Sequence, residues 1–319
     1  MRIAVKGIGL VSGLDTGTSD VRSVFNQGSA GFPPGEPIPG TCRNKSVHRS
    51  DPSSLARHVP KRRLRRVDHY SRMALLGAGK ALEDAGKNQF SRDATGVIVA
   101  SGHGALKTTF AFLDSYIEKG DKLSAPIHFS NSLHNAAASY ISMIYGITGP
   151  SLTVSQFDMS FFSALITASV WIGQGVVDCV LVGCTDEFSD VTGYCIHGFS
   201  EEKGGNRDQG YSAGEGAAFF LLAGGGKTDG PAYGYFDEIS MESSSDRGID
   251  VPEGSLVIFS SGIVDPCGRE RVNALLEKCD SDFLVHDFAN FPTDSGFDAA
   301  FAIKEQQVDR LCFVKPAEN

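Results

Sequence analysis

The chain has 319 residues, 41% of them hydrophobic and 21% charged, with a formal net charge of −9. This length can bury a large core, as one large unit or two domain-sized ones. The acid excess argues against general nucleic-acid binding, and no run approaches the roughly 18 apolar residues of a membrane helix, so no membrane insertion is expected.

Ile3–Val5 opens the chain as a predicted strand, and with Lys6 behind it the N-terminus does not read as a secretory segment. Gly7, Gly9 and Gly13 follow, but the third glycine falls one place late for a dinucleotide fingerprint, and no acidic strand end lies about 20 residues on. Lys61, Arg62, Arg63, Arg65 and Arg66 form a dense basic cluster, after which Val67–Ala85 predicts a helix with Asp68 as cap and Gly86 as stop. A strand over Gly96–Ala100, a helix over Ser132–Tyr145, a strand over Leu152–Phe157, a helix over Ser160–Gln174 and strands over Cys179–Cys184 and Ala217–Leu222 come next. Beyond Gly224 the pattern changes to a turn cluster. Its Gly226-Lys227-Thr228 imitates a phosphate loop, but Leu221 stands where the first glycine would be and no helix follows. Strands over Ala232–Met241, Leu256–Phe259, Phe283–His286 and Leu311–Val314 are predicted there, with helices over Glu270–Lys278 and Gly296–Gln306. The alternation is that of an α/β protein. The 7 cysteines include no C-x-x-C and no metal spacing. Reduced thiols in a cytoplasmic protein without metal or cofactor are expected.

The richest segment runs from Gly149 to Glu187: a turn at Gly149-Pro150-Ser151, a short strand, Asp158, a helix closed by Gly175, and a strand ending at Gly183-Cys184-Thr185. Strand, tight turn and helix can lift one side chain onto a helix N-terminus, and the residue at that apex decides the chemistry. The segment resembles the nucleophile elbow of β-ketoacyl synthases, the condensing enzymes of fatty-acid and polyketide assembly. Placed without gaps, the family's G-P-S falls on Gly149-Pro150-Ser151, its helix-ending glycine on Gly175, and its active cysteine on Asp158. The opening strand and Gly turn, VDHYSRMALLGAGKALEDAG, SNSLHNAAASYISMIYGITGPS and RDQGYSAGEGAAFFLLAG extend the resemblance over residues 1 to about 235. It implies a thiolase-like, five-layer α-β-α-β-α architecture with a complete first half (1–235) and an abbreviated second half (236–319).

Condensation in that family needs an acyl-carrying nucleophile, N–H donors for the oxyanion and two histidines. A cysteine at a helix N-terminus suits the first role, because the helix end lowers its pKa. An acyl-aspartate is a mixed anhydride that hydrolyses readily, so Asp158 serves poorly; a helix cap or a pocket group is the alternative. By the same resemblance the histidine positions fall on His286, at a strand end, and on Asn290, with the family's intervening loop missing. Joint loss of these groups implies a non-catalytic subunit akin to chain-length factors, as a homodimer or paired with a catalytic ketosynthase through edge strands. The other readings are an acyltransferase or synthase using Asp158 and His286, and a binding module for acyl chains or a carrier protein. Phe157, Phe161 and Phe162 would line an acyl pocket, or else pack the helix on the sheet. Lys61, Arg62, Arg63, Arg65 and Arg66 would meet an acidic acyl carrier protein or its phosphopantetheine phosphate, or else form a solvated loop. His134 and Asn135 are candidate contacts across a subunit interface.

Overall fold

The computed structural model describes residues 2–13, 35–38, 46–86, 90–195, 212–224, 231–236, 256–260, 283–286 and 311–314, together with 239, 296, 297, 299, 300 and 303. Its framework is a 6-stranded sheet. β1 (Ile3–Ser12), β4 (Thr95–Ala100), β5 (Ser151–Val154), β6 (Cys179–Asp186), β8 (Gly216–Gly224) and β9 (Gly234–Phe236) lie in the order β5-β4-β6-β8-β1-β9. β4 pairs in parallel with β5 and β6, while β8 runs antiparallel to β6 and β1, and β9 to β1. A second sheet joins β2 (Glu36–Pro37), β3 (Ser46–His48) and β7 (Ser212–Gly214). A third places β10 (Leu256–Ser260) between β11 (Phe283–His286) and β12 (Leu311–Val314), in parallel with both.

β4, β6 and β8 are buried along their whole lengths, which explains their unbroken apolar runs: helices cover both faces of the sheet. On one face lies α1 (His69–Ala85), whose Asp68 cap accepts the Ser71 N–H at 3.4 Å, as the sequence predicts. Its buried Met73, Leu75 and Leu82 share a cluster with Val97, Leu181 and Phe219. α5 (Ser160–Gly173) covers the other face, where Phe161 and Leu165 pack with Ile98, Val180 and Phe220. Phe297, Ala300 and Ile303, from the last part of the chain, join that second cluster.

β1 continues well past the predicted Val5. A bulge between Val5 and Gly7 absorbs Lys6, and Gly7 and Gly9 then let α1 approach: an added Cβ would stand 2.2 Å from the Ala81 oxygen and 2.0 Å from the Gly77 oxygen. These glycines serve backbone contact between strand and helix. α2 (Leu106–Lys119) and α3 (Pro126–Ser132) were not expected, and the predicted Ser132–Tyr145 helix begins only at Ala136, as α4 (Ala136–Tyr145). The break follows from extended backbone at Leu133. Asn131 secures it by donating to the Arg66 carbonyl at 2.7 Å and accepting from the Tyr140 hydroxyl at 2.8 Å. The predicted strand to Phe157 ends at Val154, and of Ala232–Met241 only Gly234–Phe236 is described as strand. The predicted helix over 270–278 lies outside the described residues, and that over 296–306 is described only in part.

Candidate functional site

The parallel strands β4, β5 and β6 end together, and three chain segments meet beyond them. β4 runs into the loop Ser101–Gly104, β5 into a 3-10 turn at Phe157–Met159 that feeds α5, and β6 into Asp186 and Glu187. Carboxyl ends of parallel strands are where α/β sheets place ligands.

Asp186, 1% exposed, organises the first of these segments. Its carboxylate accepts the Ser101 hydroxyl at 2.8 Å, Gly102 N–H at 3.0 Å and His103 N–H at 3.2 Å. The Ser101 hydroxyl in turn accepts Gly104 N–H at 2.8 Å. Glu187 accepts Lys107 N–H at 2.9 Å in the first turn of α2. Burial pushes the Glu187 carboxyl up to about 7, against the pull of that N–H. Glu215 lies below it, almost fully buried. It accepts Ser50 N–H and Phe188 N–H, both at 3.0 Å, and holds the His69 Nε2 at 2.8 Å. Burial alone would lower the His69 pKa, but the bond to Glu215 and its charge outweigh it and the net direction is upward. Burial would likewise raise Glu215, yet His69 and the two N–H donors hold it below the usual carboxylate range.

The elbow itself is built by Ser160. Its hydroxyl accepts Gln156 N–H at 2.7 Å and lies 2.6 Å from the Phe157 carbonyl and 3.1 Å from the Ser101 carbonyl, to one of which it donates. Ser163 donates to the Gln156 side-chain oxygen at 2.6 Å. Within this lattice Phe157 has φ 46°, the one positive value at a described non-glycine residue. Left-handed backbone costs an L-residue about 1–2 kcal/mol. The Phe157 ring stands 66% exposed and edge-on to His103, with ring centroids 5.6 Å apart. Asp158 turns inward and is 8% exposed. The helix cap falls on Met159 and carries no side-chain bond, so the alternative of Asp158 as the α5 cap is not how this helix begins.

The structure brings Phe157 and Asp158 together at the apex but parts the aromatic trio. Phe161 is fully buried against Phe220 at 5.6 Å, and Phe162 is partly buried beside Phe161 at 5.9 Å. The cations from Lys61 to Arg66 are all exposed; Lys61–Leu64 forms a helical turn, and Arg63 donates to the Met143 carbonyl at 3.1 Å. His134 and Asn135 are exposed, with the His134 ring over Gly104, 2.9 Å from where a Cβ would stand. His286 ends β11, opposite Ser260, and Asn290 lies outside the described residues. Sequence reasoning missed His103 and the acids Asp186, Glu187 and Glu215. Their one visible signal is acidic residues at the ends of apolar strands. Among the described residues no cluster of His, Cys, Asp or Glu is arranged to hold a metal, and no helix is long and apolar enough to cross a membrane.

The family model described as "Beta-ketoacyl synthase, N-terminal domain" matches residues 3–225. A 3-oxoacyl-[acyl-carrier-protein] synthase 2 of Coxiella burnetii is 24% identical over 206 residues, 62% of this chain and 48% of the relative; one of Vibrio cholerae is 23% identical over 180 residues, 52% and 44%. The chain therefore spans about half the length of these relatives. Among solved structures, a type II polyketide synthase acyl-carrier protein in complex with its ketosynthase bound to the hexaketide aligns with TM-score 0.73 at 16% identity, covering 95% of this chain and 90% of that one. The ishigamide ketosynthase/chain length factor aligns with TM-score 0.71 at 17% identity, covering 95% and 91%. The fold is thus the thiolase-like α/β fold of ketosynthases.

Proposed function

The chain belongs to the β-ketoacyl synthase family, and we propose that it acts as a non-catalytic subunit of fatty-acid, polyketide or aryl-polyene-type synthesis, in the manner of a chain-length factor. The observation that carries this reading is the elbow. The position aligned with the family's nucleophile holds Asp158, turned inward and 8% exposed, while the exposed apex is the ring of Phe157. Neither group can store an acyl chain as a thioester. His286 and Asn290 stand at the positions that the resemblance gives to the two histidines.

The partner in this reading is a ketosynthase-fold chain bearing the missing cysteine and histidines, or a second copy of this one. Support comes from α2, whose only buried residues are Thr108 and Ser115 while Leu113, Tyr116 and Ile117 face outward, and from Phe129 and Leu133 beside it. An apolar face of that extent on a structured hairpin suits a protein interface. His134 and Asn135 lie at its end and would contact the partner. The exposed cations from Lys61 to Arg66, on a chain of net charge −9, suit an acidic acyl carrier protein. A division into a first half (1–235) and a shortened second half (236–319) belongs to the same proposal, with β10, β11 and β12 in a sheet of their own as support. A cytoplasmic location fits soluble carrier proteins.

The test is incubation with malonyl- and acyl-carrier protein followed by intact-mass measurement, alongside co-expression with a cysteine-bearing ketosynthase. The expected result is no covalent adduct, no decarboxylation and co-purification with the ketosynthase. An adduct on this chain, or decarboxylation by it alone, supports the enzyme reading through Asp158 and His286. Carrier-protein binding without a ketosynthase partner supports a binding module.

A further inference from the structure

We infer that Glu187 is a pH-operated latch for the α2–α3 hairpin: with its proton in place it holds the hairpin against the body of the protein, and loss of the proton favours opening. The inference stands apart from the subunit reading, since it concerns how the chain holds its own hairpin.

α2 begins without a cap of its own. Ala105 at its N-terminus makes no side-chain bond, and the Lys107 N–H in its first turn goes instead to Glu187, at 2.9 Å. The rest of the helix has little grip. Thr108 and Ser115 are its only fully buried residues, whereas α1 buries a face from Tyr70 to Leu82. α2 and α3 hold to each other: the Phe112 and Phe129 rings stand 5.2 Å apart, and the Ser115 hydroxyl accepts Ala125 N–H at 3.1 Å. Glu187 ties one end of that pair down. Asn131 ties the other, by donating to the Arg66 carbonyl at 2.7 Å.

Glu187 is 5% exposed, and other acids crowd it. From α1 it is faced by Asp68, one of whose oxygens is buried with no hydrogen bond among the described residues, by His69 and by the buried Tyr70 hydroxyl. Glu215 faces it from the turn before β8, and Lys107, with an exposed side chain, from α2. Asp186 precedes it and is engaged by the Ser101–His103 loop. Arg49 reaches the Phe188 carbonyl at 3.2 Å and lies 3.9 Å from Glu215. The one imidazole in this group, His69, is already held by Glu215 at 2.8 Å. A charge on Glu187 would therefore stand buried and unbalanced. Burial accordingly keeps its proton on up to about 7, against the pull of Lys107 N–H.

An ionised Glu187 regains water only if something covering it moves. β6 and β8 are buried throughout and α1 is anchored along its length, so α2 is the element that gives way. In the open form the carboxyl is an ordinary one, near 4.5. Opening should then become about tenfold easier for each pH unit between about 4.5 and about 7, and stop depending on pH above that. A surface built on Leu113, Tyr116 and Ile117 is thus firmest in mild acid.

Hydrogen exchange of the full chain, read by mass spectrometry from pH 5 to pH 8 and corrected for intrinsic rates, tests this in wild type, Glu187→Gln and Glu187→Ala. In the wild type, protection over residues 106–132 is expected to fall about a hundredfold from pH 5 to pH 7 and to level off by pH 8. It should stay at least about tenfold below that of β4 and β6, which marks a local opening. Glutamine keeps an oxygen for Lys107 N–H and cannot ionise, so its protection should vary less than about threefold. Alanine removes the latch and should leave α2 about tenfold less protected than wild type at pH 5, with β4 and β6 still protected. Wild-type protection that ignores pH, a glutamine variant with the wild-type profile, an alanine variant as protected as wild type, or α2 protected as well as β4 overturns the inference.

Discussion

Glu187 carries a carboxyl raised by burial to about 7, at the foot of α2. Its bond to Lys107 N–H survives protonation, because a neutral carboxyl still accepts through its carbonyl oxygen. A carboxyl whose folded pKa lies above its unfolded one stabilises the fold fully below the unfolded value and loses that contribution as pH rises through the folded value. For Glu187 the amount at stake is on the order of 3 kcal/mol. His69, raised by its pairing with Glu215 in spite of burial, acts in the same direction: its contribution is complete in mild acid and fades as pH rises through its folded pKa. Glu215, held low, opposes them only in stronger acid, where its contribution is lost as pH falls. Through Glu187 the melting temperature is therefore expected to fall from about pH 4.5 to about pH 7, and Glu187→Gln should remove at least half of that slope. Thermal unfolding of the two proteins across that range decides it, and an identical slope in the variant sinks the role given to Glu187.

Elements in this chain are held by backbone approach as much as by side chains. Gly9 faces α1 with room for no side chain, since an added Cβ would stand 2.0 Å from the Gly77 oxygen and 2.5 Å from Ala81 N. Both obstacles are main-chain atoms in the middle of a helix and cannot rotate away. Gly9→Ala should destabilise the protein by at least about 3 kcal/mol, above the usual range for overpacking. Denaturant titration measures it, and a loss below about 1 kcal/mol would mean that α1 can slide on β1. These glycines were visible in the sequence as a failed dinucleotide fingerprint, but their use was not, because it depends on a helix some 70 residues away. β4, β6 and β8 were legible because burial on both faces leaves continuous apolar runs. α1 was legible from Asp68 and Gly86 at its ends. α2 escaped because Phe110, Leu113, Tyr116 and Ile117 are exposed while its fully buried residues are Thr108 and Ser115, against the usual amphipathic pattern. At the elbow the spacing from Gly149 to Gly175 placed the turn. Nothing in the residue types told that Phe157 would face outward and Asp158 inward, since phenylalanine has no preference for left-handed backbone.

At the scale of the whole molecule, the described strands of the main sheet end in β9 on one side and β5 on the other. Among the described residues β9 pairs with β1 over Gly234–Phe236, and β5 has its ladder bonds on the β4 side. Val97 N–H bonds the Pro150 carbonyl at 2.9 Å and Ser101 N–H the Val154 carbonyl at 3.0 Å. Backbone groups alternate sides along a strand, so those of Ser151 and Thr153 point away from the sheet. A strand edge with no pairing partner among the described residues is a template for another strand unless something covers it. Ile117, 78% exposed, and the other outward residues of α2 make a second uncovered surface. The proposed pairing with a like-folded chain would satisfy both, and the two can be tested apart. Thr153→Pro removes an outward donor without touching a β4 bond, and Ile117→Glu puts a charge on the helix face where no core contact is lost. If β5 pairs across a dimer axis, light scattering should give a mass near twice that of the chain for wild type and near that of the chain for Thr153→Pro, with folding checked by circular dichroism. Ile117→Glu should weaken association by about tenfold if α2 lies in the same interface, with no loss of melting temperature in the separated chain. A wild-type protein that stays monomeric alone and also with an added cysteine-bearing ketosynthase would leave the edge and the apolar helix without the partner assigned to them, and the subunit reading would fall.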